Sequence, residues 1–212
     1  MRGVLITFEG VEGSGKSTQA ERLARWLPAQ GVNCILSREP GGTEIGERIR
    51  EMLLDPECRT MDARTELFLY LASRNQHVRE KVIPALKAGV VVVLDRFADS
   101  SAAYQGAGRE LGERVVSRLN KPATAGLKPH LTFLVDVAVA VGRERKALSG
   151  LDRLEQERVE FHERVRAGYI RLARRAQGRF RILDGTAPAD ELESLVRRHV
   201  TELLKRKGIL RE

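Results

Sequence analysis

Apolar positions along the 212 residues change period several times, and each change marks an element. Residues 4–8 form a short apolar run that stops at Glu9-Gly10, the pattern of a buried strand running into a turn. From Lys16 the spacing becomes helical: Ala20, Leu23, Ala24 and Leu27 share a face, and Pro28 and Gly31 close the helix. Residues 34–36 are the core of a second strand, which ends in Arg38-Glu39-Pro40-Gly41-Gly42, where proline and paired glycines exclude regular structure. Ile45, Ile49, Met52 and Leu53 then recur at helical spacing. A longer helix is predicted over 65–88, with Leu67, Leu71 and Val78 on its face and Pro84 kinking or interrupting it. Residues 90–94, β-branched and apolar throughout, form the clearest strand and stop at Asp95-Arg96. Residues 131–135 read the same way and stop at Asp136. Residues 143–157 are rich in charge and contain Gly150. Helical patterning resumes to about Gln177, followed by a weaker strand over 179–183 and a last helix from Asp190.

Strand and helix thus alternate along the chain without an internal repeat. That order predicts an α/β fold in one domain over 1–212: a three-layer α/β/α sandwich around a mostly parallel, about five-stranded central sheet with right-handed crossovers. Ligands bind beyond the carboxyl ends of such strands. Glu9, Arg38, Asp95 and Asp136 all sit at those ends, so fold and chemistry point to the same edge.

Composition narrows the class further. Hydrophobic residues make up 42% and charged residues 31%, which suits a globular enzyme rather than a disordered chain. No apolar run approaches the length that spans a bilayer, and the opening run meets Glu9 too soon for a signal peptide. The expectation is a cytoplasmic protein with no membrane partner. Cys34 and Cys58 make no C-x-x-C pair, and the four histidines lack metal-ligand spacing, so neither a disulfide framework nor a zinc site is expected. The net charge of +8 admits either nucleic acid or a polyanionic small substrate. Basic residues are mostly interleaved with glutamates on helical patterns, so most of the excess is expected on a solvated face.

One segment carries explicit chemistry. Gly10-Val11-Glu12-Gly13-Ser14-Gly15-Lys16-Ser17, followed by Thr18, fits G-x-x-x-x-G-K-[ST] and lies between a predicted strand and a predicted helix. The glycines let bare N–H groups converge on phosphate oxygens, and the helix opening at Lys16 adds its positive end. Lys16 places a point charge at the β- and γ-phosphates of ATP, and the Ser17 hydroxyl ligates Mg²⁺. A regulatory GTPase would also need N-K-x-D after a strand. Asn120-Lys121-Pro122-Ala123 lacks the aspartate and precedes its strand.

The remaining unusual segments together resemble the thymidylate kinases, particularly the bacterial ones. The resemblance is carried by the loop with its flanks (Glu9 to Thr18), Arg38-Glu-Pro-Gly-Gly-Thr43, Asp95-Arg96-Phe97, Ser100-Ser-Ala-Ala-Tyr-Gln-Gly106, Asp152-Arg-Leu-Glu-Gln-Glu157 and Phe161-His-Glu-Arg-Val-Arg166. It implies a P-loop nucleoside monophosphate kinase fold and transfer of the γ-phosphoryl group from ATP to dTMP with Mg²⁺, by direct in-line displacement.

By the same resemblance Glu12 meets the acceptor sugar, and Arg38 and Arg96 hold the acceptor phosphate. Tyr70 stacks on thymine and Arg74 reaches its carbonyl; the two are four apart on one predicted helix. Ser101 and Gln105 read the base edge, and Tyr104 crowds the sugar 2′ position. Asp95 holds magnesium through water, and Glu9 is a further candidate for the metal. Residues 143–157 resemble the mobile lid, whose Arg143, Arg145, Lys146 and Arg153 include the expected charge-stabilising group. Related lids carry an arginine just before the glycine where this chain has Ser149, and Gly13 stands where some relatives carry a catalytic arginine. The family is homodimeric, through helices expected around 65–81 and 101–119; no nucleic-acid partner is expected. Two other readings stay open from the residues alone: a kinase for a different nucleoside monophosphate or deoxynucleoside, and a nucleotide-binding module with little turnover.

Overall fold

The computed structural model describes residues 2–146 and 152–210. Its middle layer is a sheet of β1 (Leu5–Glu9), β2 (Cys34–Arg38), β3 (Val91–Asp95), β4 (Leu131–Asp136) and β5 (Phe180–Asp184), in the order β2-β3-β1-β4-β5. Every pairing is parallel. Each predicted apolar run is a strand, within two residues of its expected limits. Parallel neighbours need crossover connections, and here helices supply them on both faces, which is why the strands read as continuous apolar runs.

On one face Ile6, Phe8, Val93 and Phe133 pack with Leu23 and Leu27 of α1 (Lys16–Ala29) and Val196 and Val200 of α9 (Ala189–Arg206). On the other face Leu5, Val92 and Leu94 meet Val78, Val82 and Leu86, while Leu134 meets Val165 and Tyr169 of α8 (Val159–Arg175). The register sets Phe8 and Arg38 beside Asp95 and Glu9 beside Leu134. The carboxyl ends of three strands therefore finish at one level, and the site is built there.

The expected long helix comes in three parts: α3 (Ala63–His77), a π-helical turn at Val78–Val82, and α4 (Ile83–Lys87). Pro84 cannot donate back to Glu80, and the widened turn lies just before it. The helix expected around 101–119 is instead α5 (Ala98–Ser101), running into a π-helical stretch Ala102–Gly108, and a separate α6 (Glu113–Ala123). Between them Glu110 and Gly112 take positive φ, at 59° and 90°, which ends the first piece. α2 (Glu44–Leu54) and α7 (Val139–Lys146) complete the described elements. Among the described residues no helix is long and apolar enough to cross a membrane.

Candidate active site

Beyond the carboxyl edge lies a cavity of about 500 Å³, lined at one end by the phosphate loop and at the other by α3 and the π-helical stretch. The loop end is made of backbone. Gly10, Gly13 and Gly15 all have positive φ, and Gly15 caps α1 with no side chain, leaving the first-turn N–H groups open for anionic oxygens. Lys16 follows at 7% exposure; burial first, and then the charge of Arg96, pushes its ammonium below the ordinary lysine range. Val11 and Ser14 are buried beneath the loop, whereas Ser17 and Thr18 line the cavity.

A second feature of the loop was invisible in the sequence. A Cβ on Gly13 would lie 2.1 Å from the carbonyl oxygen of Gly142, and one on Gly142 would lie 2.3 Å from that of Glu12. Loop and α7 are thus in direct backbone contact. Arg145 reinforces it by donating to the carbonyls of Gly13 (3.3 Å) and Gly185 (2.9 Å). The place of an arginine side chain at position 13 is taken by the α7 backbone.

Ser17 and Asp95 come together from loop and strand end. Ser17 Oγ donates to Asp95 Oδ2 at 2.5 Å, and Asp95 Oδ1 is buried without a hydrogen-bond partner. One hydroxyl and one under-used carboxylate beside a phosphate loop fit Mg²⁺, which keeps most of its water and takes few protein ligands. Among the described residues no group of three His, Cys, Asp or Glu is placed to hold a metal. Glu9 is turned to other use. It is fully buried, Oε1 accepts from Phe97 N–H (2.8 Å), and Oε2 accepts from Ser100 (2.6 Å) and Tyr169 (3.0 Å). Burial, with the nearby Asp99 charge adding to it, pushes its carboxyl up to about 8. Both oxygens of Glu9 are thus engaged by donors of its own chain, whereas Asp95 keeps an oxygen free beside Ser17.

Glu12 joins the two ends. Its Oε1 accepts from Tyr104 Oη (2.5 Å) and Arg96 Nη2 (2.9 Å), while Oε2 has no donor, with His162 Nδ1 at 3.7 Å. Burial alone would raise this carboxyl; Arg96 and Lys16 outweigh it and hold it below the ordinary range. Arg96 itself sits at φ 70°, an uncommon backbone for a non-glycine residue, and is fixed by Gly10 O (3.0 Å), Tyr169 Oη (3.0 Å) and Ser100 Oγ (3.3 Å).

The far end is a network of side chains. Arg74, 2% exposed, donates from Nε to Glu39 (2.7 Å), from Nη1 to Ser101 (2.8 Å) and Asn120 (2.6 Å), and from Nη2 to Phe97 O (3.1 Å). His77 closes the pair by meeting the other oxygen of Glu39 at 3.0 Å. Tyr70, Ser101, Tyr104 and Gln105 line the cavity with Arg74. Arg38 also lines it, half-exposed and paired with Glu47 at 2.7 Å.

The lid candidates separate. Arg145 and Lys146 line the cavity, and Lys146 pairs with Glu155 at 2.9 Å. Arg143 donates to Glu157 O (3.1 Å) and borders a smaller recess on the far side of Glu12. Arg153 is 6% exposed, bonded to Leu53 O (2.9 Å) and paired with Glu66 (2.8 Å). In this arrangement it is an anchor. Ser149 and Gly150 lie outside the described residues.

Sequence reasoning missed Glu39, Glu66, Ser100, Asn120 and Tyr169. Only Glu66 left a usable signal: it is four residues before Tyr70 and eight before Arg74, on the same helical stripe.

A family model described as "Thymidylate kinase" matches residues 8–196. The chain is 44% identical over 213 residues to the thymidylate kinase of Desulfovibrio desulfuricans, covering 97% of this chain and 98% of that one. It is 47% identical over 197 residues to that of Desulfosudis oleivorans, covering 89% and 92%. A crystal structure of thymidylate kinase from Ehrlichia chaffeensis superposes with a TM-score of 0.77 at 31% identity, covering 94% of this chain and 98% of that one.

Proposed function

Since this chain belongs to the thymidylate kinase family, and so phosphorylates dTMP to dTDP with ATP, we propose that both nucleotides meet head-on in the 500 Å³ cavity. The observation that carries this is Glu12. A carboxylate inside a phosphate loop repels the donor, yet here it is bonded to Arg96 and Tyr104 of the opposite end. That arrangement suits a loop that also touches the acceptor, and it favours a monophosphate kinase over a simple ATPase.

ATP lies on residues 10–18, with Lys16 and the α1 N–H groups at its phosphates. Ser17 and Asp95 would hold Mg²⁺, which would supply positive charge to offset that of the triphosphate. dTMP enters from the side of α3, its base against Tyr70 and near Arg74, Ser101 and Gln105, its sugar against Glu12 and Tyr104, and its phosphate between Arg38 and Arg96. The protein contributes position and charge, not a nucleophile. Among the described arginines of the 143–157 segment, Arg145 stabilises the transferring group, since it touches Gly13 and lines the cavity with Lys146 beside it; Arg143 and Arg153 are held elsewhere.

A homodimer is part of the same reading. Leu67 and Leu71 of α3 pack on Val116 and Ala123 of α6, while Phe68 on the one and Val115 and Leu119 on the other stay exposed, an apolar face suited to a second copy. Two free cysteines accord with a cytoplasmic setting.

The test is direct. With Mg-ATP and a panel of nucleoside monophosphates, ADP and dTDP are expected to form together and fastest with dTMP. Turnover of CMP or UMP but not dTMP would sink the assignment of the acceptor end.

A further inference from the structure

Glu66 takes no part in phosphoryl transfer, yet it is fully buried on α3 one turn before Tyr70 and collects donors from two distant segments. Oε1 accepts from Gln105 Nε2 at 2.9 Å. Oε2 accepts from Arg109 Nη2 at 2.9 Å and lies 2.8 Å from Arg153 Nη1. Burial alone would raise this carboxyl; the hydrogen bonds and charge of Arg109, then Gln105 and Arg153, hold it below the ordinary range. Glu66 is therefore an ionised carboxylate, which accepts and never donates.

An amide beside such a group has one orientation open to it. Gln105 must turn its –NH₂ to Glu66, because its oxygen there would face a carboxylate oxygen with no proton between them. Gln105 is buried and lines the cavity, so Oε1, which has no partner among the described residues, is the amide atom left to a ligand. Arg74 complements it. Four of its five N–H bonds are committed to Glu39, Ser101, Asn120 and Phe97 O, leaving one on Nη2. Beside the ring of Tyr70 the pocket thus offers a spare Arg74 donor and a fixed Gln105 acceptor, with the Ser101 hydroxyl, which accepts from Arg74, keeping its own proton to donate.

We propose that Glu66 is a positioning residue for base specificity: by locking the Gln105 amide it makes the pocket complementary to a pyrimidine imide edge and hostile to a 4-aminopyrimidine. An imide presents a carbonyl at C4 and an N–H at N3, matching the Arg74 donor and the Gln105 acceptor. A 4-amino base presents an N–H₂ and a bare N3, setting donor against donor and lone pair against lone pair. This rests on the reading that the base sits between Tyr70, Arg74 and Gln105.

The experiment uses the full chain and compares kcat/KM for dTMP and dCMP at saturating Mg-ATP. In Glu66→Gln the new amide can bond Gln105 in either orientation. The dTMP-to-dCMP ratio is then expected to fall about tenfold or more, mainly through KM, with Glu66→Asp keeping the ratio. If losing the charge unfolds the chain, the double variant Glu66→Gln with Arg153→Gln removes the carboxylate together with its more buried arginine partner, Arg109 keeping Glu157, and carries the same expectation. A ratio that stays fixed while both rates and Tm fall together would show a purely structural role and overturn the proposal. Gln105→Leu separates the two layers. An unchanged KM for dTMP there would overturn the placement of the base, whereas a raised KM with an unchanged ratio in the Glu66 variants would overturn only the role of Glu66.

Discussion

The two ends of the cavity are built by opposite means. The donor end is main chain: three glycines, the open N-terminus of α1 and a single lysine, all within residues 10–18. The acceptor end is almost entirely side chain, and its hydrogen bonds reach far along the sequence, 27 positions for Arg74–Ser101 and 92 for Glu12–Tyr104. A backbone cradle tolerates any triphosphate and is specified by local sequence. A side-chain network selects one base and needs the whole fold to assemble it.

The contrast can be broken most forcefully at Arg74. Arg74→Met would strand Glu39 as a buried, partly unpaired charge and leave Asn120 and Ser101 without their donor. A loss of about 3–5 kcal/mol in unfolding free energy is expected by chemical denaturation, with dTMP binding lost and ATP-analogue binding retained in the fraction that folds. Lys16→Ala acts at the other end and leaves the fold intact. The turnover number is expected to fall by a factor of about 100 or more, roughly 3 kcal/mol in the barrier, by comparison with the loss of one preorganised donor. Near-normal turnover would remove Lys16 from the mechanism.

Gly142→Ala probes the joint between loop and α7. Its Cβ would lie 2.3 Å from Glu12 O, too close to accommodate without moving backbone. A cost of about 1–3 kcal/mol is expected in thermal unfolding, together with a raised KM for ATP and a smaller change for dTMP. Equal effects on both substrates would mean that the contact serves the fold and not the loop.

The smallest effect is a slope. Glu9 binds its proton more tightly folded than unfolded, so its contribution to stability is full below about pH 4.5 and is lost as pH rises toward about 8. Glu9→Gln, which keeps a donor and an acceptor in place, should flatten Tm against pH over that window and gain on the wild type at pH 8. Parallel Tm curves for the two proteins would show that Glu9 does not titrate there.

This contrast also explains what could be read from the sequence. The strands were legible because burial on both faces leaves runs such as Val91 to Leu94 apolar throughout, and the phosphate loop because its chemistry is contiguous. Pro84 marked the interruption of its helix because the missing donor acts on its own turn. The surroundings of Glu9 were not legible because a strand-end acid reads the same whether it faces a cation or a tyrosine; only the fold brings Tyr169 within 3.0 Å. The partner of Arg153 was hidden likewise, since nothing in Asp152-Arg153-Leu154 announces Glu66, 87 positions earlier. Asn120 stands in an incomplete guanine-reading pattern, Asn120-Lys121-Pro122-Ala123, and its bond to Arg74 has no local signature at all.

The backbone contact between Gly13 and Gly142 has a use outside catalysis. Because the two main-chain segments touch without a side chain between them, a shift of the loop on binding phosphate would pass to α7 with little slack. The amides of Val139–Lys146 are then a native gauge of nucleotide occupancy, readable by hydrogen exchange without a label. A fluorophore on the exposed Glu144 would turn the same contact into an optical reporter for ATP.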